Sequence, residues 1–354
     1  MSYGSEFFYG FKAMLNAPSQ LRFSTLASLL MLLIANMSTS QAGIVFTDGG
    51  LDAGIRWDAA PQNFEGNERS LEGGLRYSVQ GGSYQAYRDR FSWSSLPSVS
   101  AFQNSVESAF NAWTVPDPAS GLRTQLSFVA DFQTSVVGSG GFQGVNFRGA
   151  EIDLFGLDAG DNGLRGFTGI QPVAQTVTLT SGIANYVNSG AIAGVDITIN
   201  NNPGAVYTLD SFRRILTHEI GHSIGLADAD LGGKFIDDNF SASNPVATLN
   251  NSWAGLVNPL DPTNSAGLNQ FSIASSTFGL TGIDLLMESN GLGVSSGNPL
   301  SNLFPLTNDE YGTRQYLYPS LTAVPEPSSF VMACLIGTVF LGSRKYKCKQ
   351  RVAS

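Results

Sequence analysis

The sequence feature that most constrains the fold is a helical pattern that begins near Leu209 and ends at a glycine. Apolar residues recur there at every fourth position, at Phe212, Leu216, Ile220 and Ile224. Thr208 and Asp210 are both suitable N-cap residues, and Gly225 suits the left-handed turn that ends many helices. The sequence therefore predicts a helix over about 209–224 that packs one apolar face into a core.

Two histidines lie on this predicted helix, and they are the only histidines of the chain. His218 and His222 are four residues apart, so they share a face roughly opposite the apolar residues and both imidazoles can reach one metal ion. Glu219 follows the first histidine and projects toward the same side. A metal that polarises a carbonyl group and acidifies a water, next to a carboxylate that accepts a proton, is typical of metal-assisted hydrolysis.

A catalytic zinc ion usually has three protein ligands and keeps a further position for water. After a turn at Gly225 the chain can fold back and bring Asp228 to the metal, and Asp230 is the alternative. The sequence therefore predicts a zinc site with His218, His222 and Asp228 as ligands and Glu219 as the catalytic residue.

The stretch HEIGHSIGLAD, residues 218–228, resembles the extended zinc signature of the metzincin metallopeptidases, HExxHxxGxxH. Aspartate replaces the third histidine, as in the snapalysin-like variants. Met287 is similar to the methionine of the metzincin Met-turn, which forms a hydrophobic floor below the ligands, and an ordinary core methionine is the alternative. The helix that ends at Trp113 and the segment 305–319 are similar to the first and last helices of matrixin-like domains.

The resemblance implies an α+β fold. In that fold a twisted, mostly parallel sheet with one antiparallel edge strand packs on two long helices, and the zinc cleft lies between an upper and a lower subdomain. Alternating and β-branched residues predict the strands, at 75–80, 126–132, 151–155, 176–179 and 195–199.

Calcium is a second candidate cofactor, because the chain is acidic. The segment 156–169 is interpreted as a polar turn, and a calcium loop that contains Asp158, Asp161 and Asn162 is the alternative. Asp196 is either a calcium ligand or a residue at the end of a strand.

Both ends of the chain resemble targeting signals. Residues 1–42 contain basic residues, an apolar run and small residues before Gly43, as in a secretory signal peptide, although a buried helix is the alternative. Residues 324–351 contain Pro-Glu-Pro, an apolar stretch and a basic tail, and resemble a PEP-CTERM sorting signal. The resemblance implies export, a transmembrane helix that anchors the protein in the inner membrane, an exosortase-type sorting enzyme as partner, and delivery to the cell surface or extracellular matrix. An ordinary single-span anchor is the alternative.

The remaining chain divides into a short N-terminal extension, 43–74, and one metallopeptidase domain, 75–320. Residues 43–324 carry 12 Lys and Arg against 26 Asp and Glu, a net charge of −14, which argues against nucleic acid as a partner. Both cysteines, Cys334 and Cys348, lie in the sorting signal, so the predicted domain has no disulfide.

These features together predict an exported zinc-dependent endopeptidase that acts on a protein or peptide substrate. The first alternative is a non-catalytic surface or matrix protein with a structural zinc site. That site would need a fourth protein ligand, although no histidine or cysteine outside the sorting signal remains to supply it. The second alternative is a zinc hydrolase that cleaves another kind of bond.

Overall fold

A computed structural model gives the structure of the chain for a defined set of residues. The described residues are 44–45, 54–116, 123–138, 145, 147–161, 163–173, 175–180, 182, 190–228, 235–237, 241, 243–244, 269–271, 286–287, 306 and 308–318. The predicted signal peptide, the predicted sorting signal, Asn162 and Asp230 lie outside them. The division into signal, extension, domain and sorting segments therefore stays a prediction.

Four helices lie in the described part of the chain: α1 (Tyr84–Arg88), α2 (Val99–Ala112), α3 (Leu209–Ser223) and α4 (Asn308–Leu317). The strands are β1 (Ile44–Val45), β2 (Ile55–Arg56), β3 (Asn63–Phe64), β4 (Asn67–Glu68), β5 (Leu75–Val79), β6 (Ser92–Trp93), β7 (Phe128–Ala130), β8 (Ile152–Leu157), β9 (Gly166–Val173), β10 (Gly190–Asn200), β11 (Val206–Tyr207), β12 (Leu226–Ala227), β13 (Phe235–Asp237) and β14 (Asn269–Phe271).

The central sheet is six-stranded and mostly parallel. Its strands run in the order β2-β10-β8-β5-β7, and every neighbouring pair in that order is parallel. β9 pairs with β10 in the antiparallel direction and lies outside that order. The predicted coarse class, α+β with a mostly parallel sheet, is therefore confirmed, whereas the metzincin identity stays a prediction.

The two long helices α2 and α3 pack against each other and form the core with one face of the sheet. Phe102 of α2 and Phe212 of α3 are fully buried, with ring centroids 5.1 Å apart. Alternate residues of β10, such as Ile197 and Ile199, join the same hydrophobic core. The indole Nε1 of Trp113, just after α2, donates to the carbonyl oxygen of Thr217 at 2.9 Å. Packing and this hydrogen bond together fix α3 over the sheet.

Two predictions about the edge of this sheet are wrong. Residues 176–179 form no strand, and the antiparallel strand is β9, whose first half, residues 166–169, lies in the segment interpreted as a polar turn. β9 contains two glycines and Pro172, which weaken the strand signal in the sequence but are tolerated in an edge strand. Asp196 lies inside β10 beside Asp153 of β8, so its interpretation as a strand-end residue is also wrong.

The prediction of a transmembrane helix, and with it of anchoring in the inner membrane, is corrected by the structure. In the part of the chain that the structure describes, no helix is long and apolar enough to cross a membrane.

Candidate metal centre

The helix α3 begins as the sequence predicts and carries both histidines. Thr208 is the N-cap: its hydroxyl accepts a hydrogen bond from the backbone N–H of Ser211 at 3.0 Å, and the Ser211 hydroxyl accepts from the backbone N–H of Thr208 at 3.0 Å. This reciprocal pair satisfies two of the donors that a helix start leaves free. The apolar face enters the core, which turns the histidine face away from it.

The C-terminal end of α3 is held by side chains that come from distant parts of the chain. Trp57 Nε1 donates to the carbonyl oxygen of Ser223 at 2.9 Å, and the Tyr318 hydroxyl donates to that of Ile224 at 2.7 Å. The same hydroxyl accepts from the backbone N–H of Trp57 at 3.1 Å. Gly225 then adopts φ +98°, and β12 follows directly. The end of the helix is thereby fixed, and the chain reverses toward Asp228.

The reversal brings three candidate ligands together. His218 Nε2 and His222 Nε2 lie 3.0 Å apart, and Asp228 Oδ1 lies 3.2 Å from the first and 3.3 Å from the second. Ligand atoms at about 2.0–2.1 Å from a tetrahedral zinc ion would be about 3.3 Å apart. His218 keeps 13% of its side chain exposed, whereas His222 and Asp228 are buried. The three atoms therefore have the spacing of one tetrahedral face that solvent can reach.

Backbone carbonyl groups orient both imidazoles. His218 Nδ1 lies 2.7 Å from the carbonyl oxygen of Leu286, and His222 Nδ1 lies 3.0 Å from that of Leu226. A carbonyl oxygen only accepts, so each Nδ1 carries the proton, and in the neutral imidazole each Nε2 carries a lone pair. Two lone pairs at 3.0 Å repel unless a proton or a metal ion lies between them. The tautomers thus suit a cation at the centre of the cluster.

The charge of the cluster agrees with this arrangement. Burial opposes a charge on His218, but the hydrogen bond and charge of Asp228, with help from Glu219, outweigh it and raise the pKa of His218 to about 9. Burial alone would raise the pKa of Asp228, yet the two histidines reverse this effect and lower it well below the usual value for a carboxyl group. Asp228 is therefore an anion that stabilises a positive charge beside the imidazoles.

Met287 lies against the helix between the two histidines. It is fully buried, and a Cβ added to Gly221 would lie 2.9 Å from Met287 Cε and 2.7 Å from Trp113 Cζ2. The backbone N–H of Met287 donates to Glu310 Oε1 of α4 at 3.0 Å. Met287 thus forms a hydrophobic floor against α3, and α4 holds the segment whose Leu286 carbonyl group orients His218.

The side chain of Glu219, a residue of α3, contacts β9. It is 3% exposed, and the hydroxyl group of Thr168 lies 2.7 Å from its Oε2. Burial raises the pKa of Glu219, although the charges of the two histidines and the Thr168 hydrogen bond act in the opposite direction. A carboxyl group with a raised pKa beside the candidate ligands is suited to accept and donate a proton.

Among the residues that the structure describes, His218, His222 and Asp228 are the one group of three or more His, Cys, Asp or Glu whose ligand atoms are close enough to hold a metal ion. The identity of the ion is a separate question, since imidazole and carboxylate suit several divalent metals. Asp158 accepts from Gly160 N–H and from the Asn202 amide, as a polar turn does, and the calcium loop stays a prediction.

Several residues that support the centre were not predicted from the sequence: Thr168, Trp57, Tyr318 and Glu310. Each is far from residues 218–228 along the chain. The sequence pattern of Glu310 is that of a capping box and does not indicate its contact with Met287, and the other three have no recognisable local pattern. No protein-family model matches the chain, and no curated protein matches it significantly. The site is therefore interpreted from its geometry and chemistry alone.

Proposed function

We propose that the chain is a zinc-dependent endopeptidase of the metzincin type. The observation that carries the proposal is the convergence of His218, His222 and Asp228, at 3.0–3.3 Å from one another, beside the buried carboxylate of Glu219. Two imidazoles and one carboxylate form the three-ligand set of a catalytic zinc site that leaves a position for water. The antiparallel strand β9 next to α3 and the Met287 floor add support for the metzincin type.

Different residues of the chain have different roles in the proposed peptide hydrolysis. Zinc, when bound, supplies a Lewis acid that polarises the substrate carbonyl and makes a water more acidic. His218, His222 and Asp228 would hold the ion, and the Leu286 and Leu226 carbonyl groups keep the two imidazoles in the tautomer that this needs. Glu219 accepts a proton from the attacking water and delivers it to the amine that leaves.

The test compares Glu219→Gln with the wild type in zinc content and in casein cleavage. Glu219→Gln keeps the shape of the side chain but cannot accept the proton, so zinc content should stay the same while kcat falls by about 10²-fold or more. Glu72→Gln, which alters an exposed carboxylate outside the cluster, is the control and should leave both unchanged. Full cleavage by Glu219→Gln would overturn the proposed mechanism. Zinc without cleavage in the wild type would favour the structural zinc site.

A further inference from the structure

The strand β9 presents one side chain to the carboxylate of Glu219. Thr168 is the third residue of β9, where it pairs with Ile197 of β10, and only 9% of it is exposed. Its hydroxyl oxygen is 2.7 Å from Glu219 Oε2 and 3.1 Å from the backbone carbonyl oxygen of Glu219. Thr168 thus contacts the side chain and the backbone of the same residue, across 51 positions of sequence.

The residue two positions earlier on β9 leaves space for the other carboxylate oxygen. Residues two apart in a strand face the same side, so Gly166 and Thr168 both point toward α3. A Cβ added to Gly166 would lie 2.6 Å from Glu219 Oε1 and 3.1 Å from both Cδ and Cγ. A side chain at this position would therefore displace the carboxylate. β9 thus gives Glu219 a hydrogen-bond donor on one oxygen and a gap without a side chain beside the other.

We infer that β9 positions the catalytic carboxylate, with Thr168 as the positioning residue and Gly166 as the space that the position requires. The inference rests on the proposed function, in which Glu219 transfers a proton. The Thr168 hydroxyl donates to Oε2, and Oε1 lies on the side of Gly166. The same hydroxyl also contacts the backbone carbonyl oxygen of Glu219. Because Thr168 touches both the side chain and the backbone of Glu219, it limits the rotamers that the Glu219 side chain can adopt. Displacement of a reacting group by about 1 Å can cost about 10²-fold in rate.

The activity test uses three threonine variants of the whole protein. Thr168→Val removes the hydroxyl group at almost constant volume, and Thr168→Ser keeps it. Thr134→Val is a matched control, because the Thr134 hydroxyl also lies 2.7 Å from a carboxylate oxygen, in this case of Asp131. Asp131 is not one of the candidate metal ligands. For cleavage of a fluorogenic peptide, Thr168→Val should lower kcat by about tenfold or more, with KM and zinc affinity unchanged. Thr168→Ser should recover most of the rate, and Thr134→Val should keep the wild-type kcat.

Gly166→Ala should lower kcat without loss of zinc, since the three atoms nearest the added methyl group all belong to Glu219. A wild-type kcat in both Thr168→Val and Gly166→Ala would overturn the inference while the peptidase assignment stands. An equal loss of rate in Thr168→Ser and Thr168→Val would also overturn it, because the hydroxyl group would then have no role.

A thermal test that needs no turnover keeps the inference separate from the proposed function. In metal-free protein, Thr168→Val should lower Tm by about 2–4 °C more in the wild-type background than in Glu219→Ala, where the hydroxyl has lost its carboxylate partner. Equal shifts in the two backgrounds would overturn the contact. Unequal shifts in a protein that binds zinc but cleaves no peptide would support the contact and overturn the peptidase.

Discussion

Substitution of Gly225 should damage both the fold and the metal centre. Gly225 ends α3 at φ +98°, a conformation that costs an L-residue with a side chain about 1–2 kcal/mol. A Cβ there would also overlap the backbone carbonyl oxygen of Ile55 in β2. That carbonyl cannot move freely, because the next residues, Arg56 and Trp57, are fully buried and hydrogen-bonded to α4 and to α3.

The strain and the overlap together set the expected size of the effect. Overpacking in a filled interior typically costs about 1–3 kcal/mol, so Gly225→Ala should lower the free energy of unfolding by about 2–5 kcal/mol. In a domain of this size each kcal/mol lowers Tm by about 2–4 °C. The turn also delivers Asp228 to the histidines, so zinc affinity should fall by about tenfold or more.

Gly82→Ala is the matched control for this experiment. Gly82 has φ +69°, but a Cβ there would meet nothing within 4 Å. It should show the conformational cost alone, about 1–2 kcal/mol, and keep the zinc affinity of the wild type. Thermal melts of metal-free protein and zinc titrations against a competing chelator measure the two effects. The reasoning is refuted if Gly225→Ala melts and binds zinc as Gly82→Ala does.

Two further predictions concern buried polar groups. Tyr318→Phe leaves the Ile224 carbonyl and the Trp57 N–H without their shared partner, at about 1–3 kcal/mol each, so Tm should fall by at least about 4 °C; a change below about 1 °C would contradict this. Burial raises the pKa of Asp196 to about 8 and that of its neighbour Asp153 to about 7. The folded chain therefore binds more protons than the unfolded chain between about pH 4 and pH 8. Its free energy of unfolding falls as the pH rises through this range. In buffer that contains a chelator, Asp196→Asn should therefore have a higher Tm than the wild type at pH 8 and not at pH 4. An increase in Tm that is independent of pH would argue against buried carboxyl groups at this place.

The sequence predicts α3 and the clustering of its three candidate ligands well because the information there is local. Thr208 marks the start of the helix, the four-residue spacing of apolar residues marks its buried face, and Gly225 marks its end. The structure has all three features. The four-residue spacing of the histidines then places both imidazoles on one face. Once the turn at Gly225 is present, Asp228 is within reach of them.

The strand β9 could not be predicted in the same way. Its sequence, GFTGIQPV, has two glycines and a proline, and only pairing with β10 makes it a strand. The role of Thr168 follows from the position of that strand against α3, which local patterns do not encode. The same reason applies to Trp57 and Tyr318, which reach the end of α3 from opposite ends of the described chain.

The most direct test measures zinc content and casein cleavage in the same samples of wild type and Asp228→Ala. Asp228 supplies the only anionic ligand of the proposed set, and its removal leaves two imidazoles, fewer than the three ligands of a catalytic zinc site. The wild type should contain about one zinc per chain and show cleavage that a chelator abolishes. Asp228→Ala should lose both. Absence of zinc from the wild type, or zinc and cleavage that persist in Asp228→Ala, would contradict the proposed centre.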